Sequence, residues 1–163
     1  MRAAASHRRG DYRLAEQEEP PLGAHLVAPR FGYAHHGIYV GGGAVVHYRS
    51  CAGRWHRRPV EKIPLTRFSH GRPLWIRPPR AHGLPCTEIL RRARSRLGER
   101  CYRLFSNNCE HLSEWCVNGV HRSLQVERFL KPVHSAVQLL KDLTPFLTLG
   151  PLRADEARIA RPT

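Results

Sequence analysis

The residue that could do chemistry most directly is Cys109, which lies in the run Asn108-Cys109-Glu110-His111. Three residues able to cap a helix precede it, and Asn118-Gly119 is a typical helix stop, so the pattern predicts a helix that starts at the cysteine. The start of a helix stabilises a thiolate, the nucleophilic form of cysteine, through unpaired N–H groups and the positive end of the helix dipole. Leu112 and Cys116 recur at helical spacing on the same side as Cys109, which predicts that its sulfur faces the body of the domain.

A nucleophilic cysteine needs a base, and the best candidates among the 11 histidines lie upstream, in residues 35–48. There, two β-rich runs flank a triple glycine, which predicts a β-hairpin. With a three-residue glycine loop, one face of the hairpin carries His35, Gly37, Tyr39, Val45 and His47. With a two-residue loop, His36 would instead oppose His47, because a slip of one residue exchanges the two faces. We expect the first register, since it separates the aliphatic residues better and makes His35 and His47 diagonal neighbours.

The two blocks HHGIYVGGGAVVHY and NNCEHL resemble the lecithin retinol acyltransferase (LRAT)-like family, which includes the small phospholipase A/acyltransferases. The resemblance covers roughly residues 22–126 and includes three further segments. Gly23–Val27 resembles the family's opening strand, Pro85–Leu90 its helix before the nucleophile, and Cys101–Leu104 a strand-like lead into the cysteine motif. Paired blocks in the right order are a more specific signal than either block alone.

The resemblance implies an α+β domain of permuted papain-like (NlpC/LRAT-like) type, in which a small antiparallel sheet packs against helices. By the family's roles, Cys109 is the nucleophile, His35 the general base and later acid, and His47 the group that orients the imidazole. The implied reaction is attack on a lipid-like ester to give a thioester, which water or another acceptor then resolves. Tyr39 and Asn108 are weaker candidates for contacts to the substrate or the oxyanion.

Two residues depart from the family pattern, and other functions remain open. His36 stands where many relatives carry an aromatic residue, and Leu112 replaces a phenylalanine; we expect His36 to be a packing or surface residue. His111 is expected to cap or bond locally rather than react. A cysteine peptidase or amidase would share the same constellation, and a basic protein that docks on membranes or RNA without turnover is the non-catalytic alternative.

A metal site is the competing chemical interpretation, because a short span offers Cys101, Cys109, His111 and Cys116 as ligands. Structural zinc sites usually contain cysteine pairs separated by two to four residues, and this chain has none. We therefore expect neither a metal ion nor another cofactor.

Composition limits the setting and the partners. Five cysteines are few for a disulfide framework, and an odd number cannot all pair within the chain. Residues 1–20 also carry no apolar signal segment, so we expect a reducing, cytoplasmic setting. The net charge of +14 favours anionic partners, and for an enzyme acting on lipids it predicts peripheral contact with an anionic membrane. Nucleic acid is not expected, because no readout module is present. The sequence does not indicate the oligomeric state.

The chain has room for one domain with terminal segments on either side. We predict a flexible tail of basic and acidic residues in 1–20, the LRAT-like catalytic domain in 21–131, and an amphipathic helix followed by a polar tail in 132–163. The C-terminal segment falls short of the roughly 20 apolar residues that a membrane-spanning helix needs, which favours an interfacial or docking helix. Residues 86–98 read as a helix with its arginines facing outward.

Overall fold

The computed structural model describes residues 8–49, 59–81 and 83–147 and shows an α+β architecture, as predicted. Its elements in chain order are β1 (Tyr12–Arg13), β2 (His25–Arg30), β3 (Tyr33–Gly41), β4 (Ala44–Tyr48), β5 (Val60–Pro64), α1 (Leu65–Ser69), β6 (Trp75–Arg77), α2 (Cys86–Ser95), α3 (Cys109–Asn118) and α4 (Leu124–Leu147). The strands form one six-stranded sheet in the order β1-β6-β2-β3-β4-β5, and every neighbouring pair is antiparallel.

The hairpin of β3 and β4 keeps the predicted register but turns more tightly than predicted. Ile38 pairs with Val46 and Tyr39 with Val45, which is the expected alignment. The turn itself consists of Gly42 and Gly43, both with positive φ (58° and 65°), the requirement of a tight hairpin turn that glycine meets without strain. The extra residue of the predicted three-residue loop is absorbed as an irregularity between Tyr39 and Gly41. Both strands therefore keep the faces that the three-residue loop predicted.

The sheet has a separate hydrophobic core on each face. Helices α2 and α3 cover one face, where Ile38, Val46 and Tyr48 pack with Leu90 and Leu112. The other face is covered by α1 together with the segment around β1, and its core contains Leu14, Leu26, Ala28, Tyr39, Val45, Ile63, Phe68, Leu74 and Ile76. Because strand side chains alternate, neighbouring residues of β3 point into different cores.

Helix α3 begins and ends where the sequence predicts. Asn108 is its N-cap, with extended backbone, and its side-chain oxygen accepts from the N–H groups of Glu110 and His111 at 2.9 and 3.1 Å. His111 completes a reciprocal cap, since its Nδ1 accepts from the Asn108 N–H at 3.4 Å. Gly119 closes the helix in the left-handed conformation. The prediction that His111 bonds locally is confirmed.

The segment before α3 differs from the expected strand. Within Cys101–Leu104 the structure shows a single antiparallel bridge, between Arg103 and Asn107, and this bridge closes a tight turn. Tyr102 is held by packing instead, with its ring 5.4 Å from that of Tyr48 in an edge-to-face arrangement. The prediction that Cys101–Leu104 is strand-like was therefore wrong, although the segment does lie shortly before Cys109.

The chain divides into two compact units, residues 1–128 and residues 129–163. The first contains the whole sheet, including β1, which lies within the segment predicted as a tail. Residues 1–7 of that tail, and residues 148–163 of the predicted C-terminal segment, lie outside the described residues. Among the helices that are described, none is long and apolar enough to cross a membrane.

Candidate active site

The two histidines predicted to cooperate form a direct pair. His35 Nε2 lies 2.7 Å from His47 Nδ1, both rings are buried, and they meet edge to face with centroids 4.9 Å apart. Residue 61 lies opposite His47 in the pairing of β4 with β5, which brings Glu61 Oε1 within 3.5 Å of His47 Nε2. The three side chains form a row from a partly exposed carboxylate to a buried imidazole.

The hydrogen bond between the two rings can run in either direction, and the position of Glu61 favours one of them. A carboxylate only accepts, so Glu61 favours hydrogen on Nε2 of His47 and leaves its Nδ1 as an acceptor. In that tautomer His35 donates from Nε2 to Nδ1 of His47, and Nδ1 of His35 keeps its lone pair. A ring in this tautomer can take a proton at Nδ1, which is what a general base requires.

Both rings are neutral at pH 7. Burial is the largest effect on each: it holds the pKa of His35 well below the ordinary value of 6.5 and lowers the pKa of His47 to about 4. The neighbouring ring and Arg30 lower the pKa of His35 further, whereas a hydrogen bond to the Tyr48 backbone partly opposes the shift at His47. A neutral imidazole is the form that can accept a proton.

Phe68 on α1 is the wall against which the histidine pair packs. Its ring centroid lies 5.2 Å from that of His35 and 5.6 Å from that of His47. Gly37 makes this approach possible, because a Cβ at that position would come within 2.6 Å of Val45 Cγ1 and 2.9 Å of the Phe68 ring. The absence of a side chain at residue 37 lets the aromatic ring reach the pair.

Cys109 is the first residue of α3 and is buried, as predicted. Gln125 ties its surroundings to the start of β3. The Gln125 side chain accepts from the Ala34 N–H at 2.7 Å and donates to the Ala34 carbonyl at 3.1 Å. The Gln125 backbone N–H bonds to Glu110 at 2.9 Å. The residue before His35 and the residue after Cys109 therefore share one partner.

Arg30 at the end of β2 provides a second connection. Its guanidinium donates to the backbone carbonyl of Phe68, and burial, the largest effect, lowers its pKa. Tyr33 and Cys109 act in the opposite direction and raise the pKa of Arg30. Arg30 in turn lowers the pKa of both His35 and His47. One cation thus lies close enough to interact electrostatically with the predicted nucleophile and with both predicted histidines.

His36 points to the opposite face of β3 and belongs to a buried polar cluster. Its Nδ1 lies 2.9 Å from His25 Nε2, and its Nε2 lies 3.9 Å from Glu110. Arg77 donates to Glu110 at 2.7 Å and lies 3.7 Å from Glu114. His36 is therefore a buried packing residue and not a surface residue, and it makes polar contacts; it faces α3 while His35 faces α1.

The two weaker candidates have structural roles in this arrangement. The Tyr39 hydroxyl donates to Glu19 and accepts from the Gly43 N–H at 2.9 Å. Tyr39 lies four residues, or roughly 13 Å of strand, from His35. The Asn108 oxygen is used in capping α3, and its amide donates to the Leu104 carbonyl at 2.8 Å. The structure thus does not bring Tyr39 to the histidine pair, and it assigns the Asn108 side chain to the cap.

Among the cysteines that the structure describes, the other three show no comparable setting. Cys116 lies two turns further along α3, is fully buried, and has its pKa raised to about 12 by burial. Cys86 and Cys101 are exposed thiols on the surface. Within the described residues, no group of three or more histidine, cysteine, aspartate or glutamate side chains is arranged to hold a metal ion.

Two polar residues of the site could not be identified from the sequence. Glu61 reaches His47 only through the pairing of β5 with β4, and Arg30 approaches Cys109 only because α3 packs on the sheet. The predicted opening strand ended at Val27, three residues before Arg30, so no sequence signal pointed to Arg30.

Comparison with known proteins identifies the family to which the chain belongs. Residues 18–122 match the family described as lecithin retinol acyltransferase, a range that contains the histidine hairpin and the start of α3. Over 137 residues the chain is 33% identical to phospholipase A and acyltransferase 2 from Homo sapiens, an alignment that covers 74% of this chain and 85% of the human protein. The antiparallel sheet with its flanking helices fits the papain-like fold of that family. The chain therefore belongs to the lecithin retinol acyltransferase family.

Proposed function

We propose that this protein is a thiol acyltransferase and acyl hydrolase that acts on lipid-like esters through a thioester on Cys109. The observation that carries the proposal is the bonded pair of His35 and His47, followed in sequence by a cysteine at a capped helix start. The human relative is a phospholipase A and acyltransferase by name, which supports the same class of reaction.

In the first half-reaction, Cys109 attacks the ester carbonyl while Nδ1 of His35 takes the thiol proton. The sulfur–carbon bond forms, and the negative charge collects on the carbonyl oxygen. Collapse of this tetrahedral species breaks the ester carbon–oxygen bond. His35 returns its proton to the leaving alcohol, and the acyl group stays on the sulfur as a thioester.

In the second half-reaction, an acceptor resolves the thioester. His35 takes a proton from water, an alcohol or an amine as that group attacks the thioester carbonyl. The carbon–sulfur bond then breaks, and Cys109 regains its proton from His35. Water gives hydrolysis, and an alcohol or amine gives acyl transfer, so both activities follow from one intermediate.

Charge stabilisation would come from the start of α3 and from Arg30. The first N–H groups of a helix point outward and carry partial positive charge, and they act most strongly on an anion within the first turn. Arg30 is half-buried and interacts electrostatically with Cys109 and the two histidines, and its charge is screened less there than at the surface. His47 and Glu61 orient His35 without contacting the substrate.

The proposed setting is the cytoplasm, with peripheral contact to anionic membrane. A chain with a net charge of +14 is attracted to an anionic lipid surface, where the proposed substrate is found. Neither a cofactor nor a nucleic acid takes part in the proposed reaction.

The experiment is a product assay with matched cysteine variants. Purified protein is incubated with a phospholipid, and the released fatty acid is measured with and without an added primary amine or lysophospholipid acceptor. Cys109→Ala is expected to abolish both products. Cys116→Ala, on the same helix with its pKa raised to about 12, is the matched control and is expected to keep them.

A different result would overturn the assignment. Full activity in Cys109→Ala would exclude the proposed nucleophile. Cleavage of peptide or amide substrates, with no cleavage of esters, would instead favour the peptidase or amidase alternative.

A further inference from the structure

Two exposed phenylalanines lie in turns of the chain, one shortly before the predicted base and one shortly before the predicted nucleophile. Phe31 lies four residues before His35, in the turn between β2 and β3, and its side chain is 95% exposed. Phe105 lies four residues before Cys109, in the turn closed by the bridge between residues 103 and 107, and is 53% exposed. Single exposed apolar residues are ordinary, so a common function for these two depends on where their turns lie in the fold.

The two turns belong to the same end of the first unit. Gln125 bonds both to Ala34, three residues after Phe31, and to Glu110, five residues after Phe105. Arg30, directly before Phe31, interacts electrostatically with Cys109. Both turns therefore lead into the region where the candidate active site is assembled.

Each of the two turns carries a positive charge. Residues 29–34 and 102–108 contain no aspartate or glutamate, and each contains one arginine, at positions 30 and 103. At the turn of Phe105 the exposed Arg103 suits the interfacial layer of an anionic bilayer, because the ring can enter the acyl boundary while the cation stays among the headgroups. Arg30, next to Phe31, is half-buried and donates to the Phe68 carbonyl, so its charge adds to the local positive potential without facing the headgroups.

The size of the apolar surface argues for a bilayer rather than a protein partner. A stable protein interface buries about 800 Å² on each side, which needs a broad complementary patch. Two narrow turn tips, carrying Phe31 and Phe105 with the neighbouring Tyr33 and Leu104, present separate apolar points. A fluid bilayer can close around separate points without matching their shape.

We propose that the turns at Phe31 and Phe105 insert into the surface of an anionic phospholipid bilayer, so that the candidate active site opens toward the membrane. The inference rests on the proposed function for its purpose, since substrate would enter from the lipid phase. Its physical content, membrane binding through two named turns, is separable from catalysis.

Binding is measured in a Cys109→Ala background, where turnover cannot alter the vesicles. The protein is sedimented with sucrose-loaded vesicles of phosphatidylcholine and phosphatidylserine. Phe31→Ser and Phe105→Ser are each expected to weaken partition about tenfold, the effect of removing one aromatic side chain from an apolar layer. Leu97→Ser, just after α2 and 42% exposed, is the matched control and is expected to bind unchanged.

A second measurement covers the case in which a serine variant fails to fold. Phe31→Trp keeps an aromatic ring, and its fluorescence should shift to the blue and be quenched by brominated lipid more than the parent protein's. Binding that is unchanged in both serine variants, or no added quenching in Phe31→Trp, would overturn the proposal. So would a serine variant that loses self-association while keeping vesicle affinity, because the turns would then form a protein contact.

Catalysis is tested separately with a soluble short-chain ester below its micellar concentration. Phe31→Ser and Phe105→Ser, made with Cys109 intact, should cleave this ester at the parent rate while losing activity on vesicles. Loss of soluble-ester cleavage with normal folding would count against the inference, since the turns would then serve the reaction itself. A parent protein that binds vesicles through the two turns but cleaves no ester would refute the proposed function and leave the inference standing.

Discussion

Replacing His47 with leucine or with asparagine tests whether His47 acts by accepting a hydrogen bond from His35. In the native protein the two rings are bonded at 2.7 Å and both are buried. Leucine has no acceptor, so Nε2–H of His35 would be left unpaired in a site that water barely enters. The Oδ1 atom of asparagine occupies nearly the position of Nδ1 of histidine and can still accept.

The size of the effect follows from the cost of an unpaired buried donor. That cost is about 1–3 kcal/mol. If it is added to the activation free energy of the step in which His35 transfers a proton, kcat/KM falls by roughly 5- to 150-fold. For His47→Leu we expect a loss of kcat/KM in this range, and for His47→Asn we expect kcat/KM within about fivefold of the parent protein's value. Both variants remove Nε2 of His47, so any loss through Glu61 is common to the two.

The assay is cleavage of a soluble ester, with thermal unfolding of each variant measured in parallel. His47→Leu leaves Nε2–H of His35 unpaired, so it should unfold at a lower temperature than the parent protein, whereas His47→Asn keeps an acceptor and should unfold close to it. Activity is therefore compared at a temperature well below every transition, where a loss in folded His47→Leu reports the orientation of His35 and not unfolding. Equal activity in the two variants, or full activity in His47→Leu, would refute the orienting role of His47.

Three further outcomes are expected. His35→Ala should abolish ester cleavage while His36→Phe largely retains it, and the reverse result would show that the base lies on the other face of β3. Because burial holds the pKa of His35 well below 6.5, the acid limb of kcat/KM should lie below pH 6.5; a midpoint at or above that value contradicts a neutral buried base. Burial also lowers the pKa of His47 from 6.5 to about 4, so the unfolded state binds more protons than the folded state between these pH values. Up to about 3 kcal/mol of unfolding free energy should therefore be lost as the pH falls from 6.5 to about 4. The measurement is the fall in Tm over this range, which should be smaller in His47→Leu.

The local parts of the candidate site could be predicted because short-range physics determines them. A glycine turn between alternating β-rich runs specifies a hairpin, and the preference of aliphatic residues for one face selects the register that unites His35 and His47. The start of α3 was predictable for the same reason, since an N-cap acts within three residues. The tight turn at Gly42 and Gly43 was missed, but the irregularity before it restored the predicted faces.

The remaining parts depend on contacts between residues far apart in sequence. Strand β1 has two residues, and its neighbourhood is held by Asp11, which accepts from Arg77 at 3.1 and 3.2 Å across 66 positions. No local pattern in residues 8–20 reports that contact, so a tail was the natural expectation. The buried cluster around His36 was missed similarly, because His25 meets it through the pairing of β2 with β3 and Glu110 meets it only once α3 packs on the sheet.

The central claim, a thioester on Cys109, is tested most directly by trapping it. The protein is mixed with a phospholipid or an activated ester and quenched in acid within the first turnover. The intact mass is then measured, followed by that of the peptide containing residue 109. The account predicts a mass increase of one acyl group on that peptide, removable by neutral hydroxylamine, absent in Cys109→Ala and present in Cys116→Ala. Turnover of substrate with an adduct on another residue, or with no adduct under conditions that trap a known thioester enzyme, would contradict it.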